Sequence, residues 1–170
     1  GAIYNSEMSD EEVLAKLGTA IGHEISHAFD RTGAKFDKDG NMKNWWTQED
    51  KEEFKKRNAK LAAYYDAIHP WEGQDLDGAS KTGEACADMA GMKVCLKIAG
   101  EKENFDYDKF YRAYANLWLI KANLMTAQAL VEDVHPMNYL RINCTLQQFD
   151  EFLEQYGITE GDNMYLAPED

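Results

Sequence analysis

Two histidines and a glutamate, His23, Glu24 and His27, are spaced in a way that suits a metal centre. If this segment is helical, residues four apart lie about 40° apart around the axis, so both imidazoles project from one face. That arrangement suits two nitrogen ligands of one Zn²⁺ ion. Glu24 lies further round the helix, where a carboxylate could take a proton from a metal-bound water. The pattern therefore predicts hydrolysis by a zinc-activated water, although four histidines in 170 residues could also match it by chance.

A second acidic pair offers a third ligand, which a catalytic zinc ion usually has. Glu84 and Asp88 are four residues apart on a predicted helix that begins near Thr82. We expect Glu84 to bind the zinc ion and Asp88 to accept the outward N–H of a ligating imidazole. The alternative is an ordinary solvated acidic pair. The flanking residues are too apolar for a surface helix, namely Ala85, Cys86, Ala87, Met89, Ala90, Met92, Val94 and Cys95. A carboxylate in such surroundings is costly without a charged partner or a metal.

Four segments of the chain form a pattern more specific than the histidine pair alone. They are residues 22–30 (GHEISHAFD), 45–47 (WWT), 83–88 (GEACAD) and 133–136 (DVHP), the last followed by Arg141. In order and spacing they resemble the neprilysin family of zinc metallopeptidases, and the resemblance covers most of the chain. It implies an endopeptidase that hydrolyses peptide bonds in oligopeptides.

The resemblance also implies a role for each residue of the zinc site. His23, His27 and Glu84 match the family's zinc ligands and would bind one Zn²⁺ ion per chain. Glu24 matches the general base, and Asp88 matches the carboxylate behind a ligating imidazole.

Three further residues match the part of the family's site that handles the substrate. His135 matches the residue that stabilises the oxyanion, and Asp133 is placed in the sequence to orient it. Arg141 matches the arginine that holds a substrate backbone carbonyl. Taken singly, His135 could be a surface histidine before a proline, and Arg141 a solvated charge.

The predicted elements that must position these residues are mostly helices. We expect helices over residues 11–30, 48–67, 82–100, from Asp106 or Asp108 to 130, and up to 156, with caps at Asp10, Thr47 and Thr145. The apolar stripe of the first helix is predicted as Val13, Leu14, Leu17, Ile21, Ile25 and Ala28. Asp39 and Gly40 indicate a small β-hairpin or turn between Phe36 and Met42. The fold class is therefore predicted as mainly α, the helical part of a thermolysin-like catalytic domain.

Composition narrows the class of partner and compartment. A net charge of −13 argues against a nucleic-acid partner. Peptide substrates are expected because the family resemblance implies them. Three cysteines form no evident disulfide framework, which favours a bacterial cytoplasmic or cell-envelope enzyme. No apolar run reaches membrane-spanning length.

We expect residues 1–170 to form a single domain, the C-terminal portion of a larger peptidase catalytic domain. The chain starts at Gly1 rather than at a methionine, ends at Asp170, and contains no match to the family's substrate-binding edge strand. The missing N-terminal part of the same polypeptide is then an expected partner. The alternative is a piece that binds peptide or metal and does not cut without that upstream part.

Overall fold

The computed structural model describes residues 2–167, and the chain end at Pro168 to Asp170 lies outside them. Within the described residues the protein is mainly helical, and the only extended pairings are two isolated bridges, Phe36 with Met42 and Trp71 with Gln74. The predicted mainly α class is therefore confirmed. The predicted turn between Phe36 and Met42 is present as well, with Gly40 at a φ of 78°.

Eight α-helices follow one another along the described chain. They are α1 (Asp10–Val13), α2 (Thr19–Ser26), α3 (Gln48–Asp66), α4 (Gly78–Gly100), α5 (Tyr107–Leu117), α6 (Leu124–Glu132), α7 (Asn138–Leu146) and α8 (Asp150–Tyr156). A π-helical turn, Leu14–Gly18, joins α1 to α2, and α2 continues directly into a 3₁₀ turn, His27–Phe29. A second 3₁₀ turn covers Gly33–Lys35.

The chain forms two compact units. One contains Gly1–Glu24, Asp88–Lys121 and Met137–Asp170, and the other contains Ile25–Ala87 and Ala122–Pro136, so far as these residues are described. Helices α2 and α4 each contribute residues to both units. The expectation of a single domain over residues 1–170 stays a prediction.

The first unit has a core of apolar and aromatic side chains. Its buried members are Ala15, Met92, Cys95, Leu96, Phe110, Tyr111, Ala113, Tyr114, Leu146, Phe149 and Phe152. In the second unit, Trp46 lies between Trp45 and Phe54, with ring centroids 5.6 and 5.1 Å apart. Thr47 caps α3, as predicted, by accepting a hydrogen bond from the Asp50 amide.

The first helical run begins with a capping box at Ser9, so the predicted cap at Asp10 was wrong. The Ser9 hydroxyl accepts a hydrogen bond from the Glu12 amide, and the Glu12 carboxylate accepts one from the Ser9 amide at 2.9 Å. Asp10 lies in the first turn, where its carboxylate binds the Lys102 ammonium at 2.8 Å. A serine and a glutamate three residues apart satisfy two terminal amides reciprocally, which a lone aspartate does not do.

The predicted apolar stripe of the first helix is wrong at three positions. Ile21, Ile25 and Ala28 are exposed, whereas Ala15, Thr19 and His23 are buried. A π-turn holds one more residue than an α-turn, so every later residue is rotated relative to a regular helix. The face directed into the first unit therefore carries small and polar residues in place of the isoleucines.

Three other predicted boundaries were wrong. Helix α4 begins at Gly78, four residues before the predicted start near Thr82. The helix expected to run to residue 130 is divided into α5 and α6, because Asn123 accepts a hydrogen bond from the Thr126 amide and starts a new helix. Thr145 caps no helix. It is buried inside α7 between Cys144 and Leu146, which are also buried, and α8 begins only at Asp150.

Candidate metal centre and its surroundings

Helices α2 and α4 touch through their backbones in the first unit, because both carry a glycine at the crossing. A Cβ atom on Gly22 would lie 2.8 Å from Gly91 Cα. A Cβ atom on Gly91 would lie 2.4 Å from the Thr19 carbonyl oxygen. Real side chains do not approach backbone atoms this closely, so only glycine permits the crossing. The crossing puts Thr19, Gly22 and His23 of α2 directly beside Gly91 of α4.

His23 is held at this crossing by Asp88. Its Nδ1 atom lies 2.8 Å from Asp88 Oδ1, and both residues are buried. A carboxylate at Nδ1 favours the tautomer with hydrogen on Nδ1, which makes Nε2 the ring nitrogen that can bind a metal ion. The contact expected between Asp88 and a histidine of the metal site is therefore found at His23.

Asp88 also binds Arg141 from α7. Arg141 Nε lies 2.8 Å from Oδ2 and Nη2 lies 2.6 Å from Oδ1, which is a two-pronged charged contact. The guanidinium carbon stacks 3.7 Å from the centroid of the Trp118 ring. Arg141 is buried, and its expected contact with a substrate carbonyl stays a prediction.

The backbone of Arg141 is fixed as well. The Tyr114 hydroxyl donates a hydrogen bond to the Arg141 carbonyl oxygen at 3.0 Å. Burial, followed by the nearby Asp88 carboxylate, raises the pKa of Tyr114, so the hydroxyl keeps the proton that it donates. His23, Asp88, Arg141 and Tyr114 thus form one continuous hydrogen-bonded chain inside the first unit.

His27, in the second unit, is anchored in the same way by Asp30. His27 Nδ1 lies 2.9 Å from Asp30 Oδ2, while the other oxygen of Asp30 accepts hydrogen bonds from the Thr32 and Gly33 amides. Burial acts to raise the pKa of Asp30, but the hydrogen bonds from Gly33, His27 and Thr32 outweigh it and hold that pKa below its ordinary value. Asp30 therefore stays anionic at neutral pH and directs His27 Nε2 away from itself.

Glu84 faces His27 from α4. Glu84 Oε2 lies 3.6 Å from His27 Nε2, which is too long for a hydrogen bond. Two ligands of one tetrahedral zinc ion, each bound at about 2.1 Å, would lie about 3.4 Å apart. Nitrogen and carboxylate oxygen are both ordinary zinc ligands, so the chemistry and the spacing of this pair fit the ion.

His135 approaches the same oxygen of Glu84 and is itself in contact with Asp133. His135 Nε2 is 3.2 Å from Glu84 Oε2, and His135 Nδ1 is 2.6 Å from Asp133 Oδ1. Hydrogen bonds from the His135 amide and ring lower the pKa of Asp133, so this carboxylate is ionised at neutral pH. Asp133 thus lies where an orienting partner of His135 should be.

Glu24 is exposed on α2, between the two histidines in sequence. A general base must be reached by water and substrate, so exposure is compatible with the predicted role. Among the described contacts, no ion pair links Glu24 to another residue.

Sequence reasoning missed Asp30. Its signal was available, since an aspartate three residues after His27 can reach back to that ring along one turn of helix. The spacing alone, however, did not indicate that Asp30 would hydrogen-bond to His27 Nδ1 as Asp88 does to His23 Nδ1. Both histidines are anchored at Nδ1 by an aspartate, and both therefore present Nε2.

A family model described as Peptidase family M13 matches residues 2–170. This chain belongs to peptidase family M13. The resemblance to the neprilysin family is thereby confirmed.

Among M13 relatives, the neutral endopeptidase of Lactobacillus helveticus is 39% identical over 168 residues, which is 98% of this chain and 26% of that protein. The neutral endopeptidase of Lactococcus lactis subsp. lactis is 36% identical over 167 residues, with the same two shares. Human neprilysin is 30% identical over 183 residues, covering 98% of this chain and 24% of neprilysin. The chain thus spans about a quarter of the length of these relatives.

Solved M13-like structures agree with this assignment. The crystal structure of PepO from Lactobacillus rhamnosis HN001 matches with a TM-score of 0.91 and 35% identity, over 99% of this chain and 27% of that chain. The zinc metalloprotease Zmp1 of Mycobacterium tuberculosis, in complex with an inhibitor, matches with a TM-score of 0.90 and 28% identity, over 98% of this chain and 28% of that one.

Within the described residues, no helix is both long and apolar enough to cross a membrane.

Proposed function

We propose that this chain provides the zinc-binding helices of an M13 metalloendopeptidase, with His23, His27 and Glu84 as ligands of one Zn²⁺ ion. The observation that carries the proposal is the matched anchoring of the two histidines, each bound at Nδ1 by an aspartate. Metal-binding histidines in proteins usually have such a partner on the second ring nitrogen. The 3.6 Å separation of His27 Nε2 and Glu84 Oε2 supports the carboxylate as the third ligand.

In the proposed reaction, bound zinc supplies a positive charge that lowers the pKa of a water molecule and polarises the scissile carbonyl. Glu24 accepts the proton of the attacking water and delivers it to the leaving amine. Its exposure on α2 supports this role, because the base must be open to both water and substrate.

His135 is proposed to stabilise the negative charge that develops on the carbonyl oxygen. The Asp133 carboxylate, 2.6 Å from Nδ1, orients the ring so that Nε2 is the nitrogen left to face the substrate. Arg141 is proposed to hold a backbone carbonyl of the peptide. Its contacts with Asp88 and Trp118 fix the direction of its guanidinium group.

A second candidate is a metal-binding part that does not cleave peptides alone. The chain spans about a quarter of its relatives, and this observation favours the second candidate for the isolated chain. The activity and the oligopeptide substrates of the whole protein are therefore proposals about the longer polypeptide.

Elemental analysis of the purified chain and of its Glu84→Ala variant tests the metal assignment. We expect about one zinc ion per chain in the wild type and strong loss in the variant, since a third ligand is removed. Glu101→Ala, an exposed glutamate just after α4, is the matched control and should keep the metal. Unchanged zinc content in Glu84→Ala would contradict Glu84 as a ligand.

A further inference from the structure

Lys81 is a buried cation whose side chain no proposed step has used. It lies on α4, three residues before Glu84, and its relative exposure is 1%. Burial lowers the pKa of its ammonium group, whereas the carboxylates of Asp133, Asp77 and Glu132 act in the opposite direction. Burying an ammonium group costs free energy unless its hydrogens are donated to acceptors. The hydrogen-bond acceptors around Lys81 therefore indicate what its burial stabilises.

The Lys81 ammonium bonds to the end of α6. Its Nζ atom donates to the Val131 carbonyl oxygen at 2.7 Å and also to the Asp133 carbonyl oxygen. The last carbonyl groups of a helix have no partner inside the helix, and they carry partial negative charge. A cation on another element therefore satisfies two of them and fixes where α6 ends.

The residues that follow the end of α6 are those proposed to handle the oxyanion. Asp133 Oδ1 accepts a hydrogen bond from the His135 amide at 2.8 Å and contacts the His135 ring nitrogen. His135 Nε2 then lies 3.2 Å from Glu84 Oε2. Lys81 and Glu84 are one helical turn apart on α4, so a single rigid helix contacts both ends of this three-residue segment.

We propose that Lys81 is a positioning residue, whose ammonium group holds the Val131 and Asp133 carbonyl groups so that the His135 ring stays directed at Glu84. The inference rests on the proposed peptidase function. Lys81 is not one of the proposed metal ligands or substrate contacts, and it acts through the backbone of Asp133. Its removal should therefore impair the chemical step more than zinc binding.

The experiment compares Lys81→Met with wild type in the full-length protein. Methionine keeps the length and apolar stem of lysine but donates no hydrogen bond. We expect kcat to fall about 10- to 100-fold. This is the range found when a catalytic site loses a supporting contact or when a catalytic group is slightly displaced. KM and bound zinc should stay within about twofold. Lys81→Arg, which keeps the charge and donors, should recover part of the lost kcat.

Thr82→Val is the matched control. Thr82 is also buried on α4, and among the described contacts its hydroxyl donates to the Ala79 carbonyl within the same helix. This variant should perturb α4 while leaving kcat close to wild type. An equal loss of kcat in Thr82→Val and Lys81→Met would overturn the proposal, because general weakening of α4 would explain both.

Hydrogen exchange gives a readout that needs no activity. In Lys81→Met, exchange should accelerate in a peptide covering residues 131–136, whereas peptides from α3 and α5 should keep their protection. Uniform acceleration across the chain would overturn the positioning role. If Lys81→Met does not fold, Lys81→Gln, which keeps one neutral donor, replaces it, and wild-type kcat in that variant together with unchanged exchange at residues 131–136 would also overturn it.

The same measurements distinguish failure of the proposed peptidase function from failure of the positioning role of Lys81. A wild-type protein without zinc or peptidase activity would contradict the proposed function, whatever Lys81 does. A wild-type protein with both, alongside a Lys81→Met variant of normal kcat, would contradict only the positioning role.

Discussion

The backbone of Gly91 lies so close to His23 that a Cβ atom on the glycine would be 3.0 Å from the histidine amide nitrogen. The same added atom would lie 2.4 Å from the Thr19 carbonyl oxygen. The contact of α2 with α4 therefore depends on the absence of a side chain at one position. Because Asp88 is one turn away on α4, this contact also determines the hydrogen bond between His23 and Asp88.

Gly91→Ala should destabilise the chain by about 1–3 kcal/mol, since an added methyl group forces two helix backbones apart. Urea unfolding followed by circular dichroism measures the change. Gly83→Ala is the control, because it lies on the same helix with no atom within 4 Å of the added carbon. That variant should be neutral or more stable by up to about 1 kcal/mol, from better helix propensity. Equal stability of the two variants would contradict the close crossing.

Asp30→Asn should weaken zinc binding about 10- to 100-fold, because the amide replaces the oxygen that accepts from His27 Nδ1. The other side-chain oxygen still accepts from the Thr32 and Gly33 amides, so the turn should remain. Competition with a zinc-binding dye measures the dissociation constant. Asp37→Asn changes an aspartate with a similar turn role and should leave zinc affinity unchanged. Wild-type affinity in Asp30→Asn would show that Asp30 only shapes the turn.

Glu24→Gln in the full-length protein should keep its zinc and lose at least about 100-fold in kcat, since the amide cannot accept a proton from water. Peptide cleavage and elemental analysis, run on one preparation, separate the two effects. Glu7→Gln alters an exposed glutamate ahead of α1 and should leave kcat unchanged. Turnover near wild type in Glu24→Gln would exclude it as the general base.

Cys95 should resist alkylation in the folded chain. It is fully buried, and burial raises the pKa of its thiol from 9.0 to about 12. Iodoacetamide at pH 8, followed by peptide mass analysis, should label Cys95 only after urea is added. Above pH 9 the unfolded chain ionises this thiol first, so its contribution to stability should decline as the pH rises. Rapid labelling of native Cys95 would contradict its burial.

The sequence predicted which residues share a helix face better than it predicted where the helices begin and end. Spacings of four residues identify neighbours on one helix face, and this local geometry needed no tertiary information at His23 and His27 or at Glu84 and Asp88. The anchor at Asp30 was missed, although it is also local. The bond from Lys81 to Val131 spans 50 residues, and no spacing rule reaches so far.

Helix ends were the weakest part of the prediction. Ser9 caps the first helix in place of Asp10, because the Glu12 carboxylate accepts a hydrogen bond from the Ser9 amide in return. Asn123 caps a new helix, α6, inside a segment that was predicted as one continuous helix. Thr145 is a residue type that favours helix caps, but it lies inside α7, because its neighbours Cys144 and Leu146 are buried there. In each case, packing or a competing side chain overrode a single-residue preference.

The π-turn Leu14–Gly18 gives this helical run one place where its length can change. Because a π-turn holds one more residue than an α-turn, loss of a single residue there would return the run to ordinary α-helical winding and leave His23 facing Asp88. Loss of a residue between Thr19 and His23, where the helix is regular, would instead rotate His23 by about 100° relative to the capping box, away from the face that meets Asp88. Among natural variants of this protein, single-residue deletions should therefore be found at the π-turn and in surface loops such as residues 69–77 and be absent between Thr19 and His23, even where substitutions are frequent.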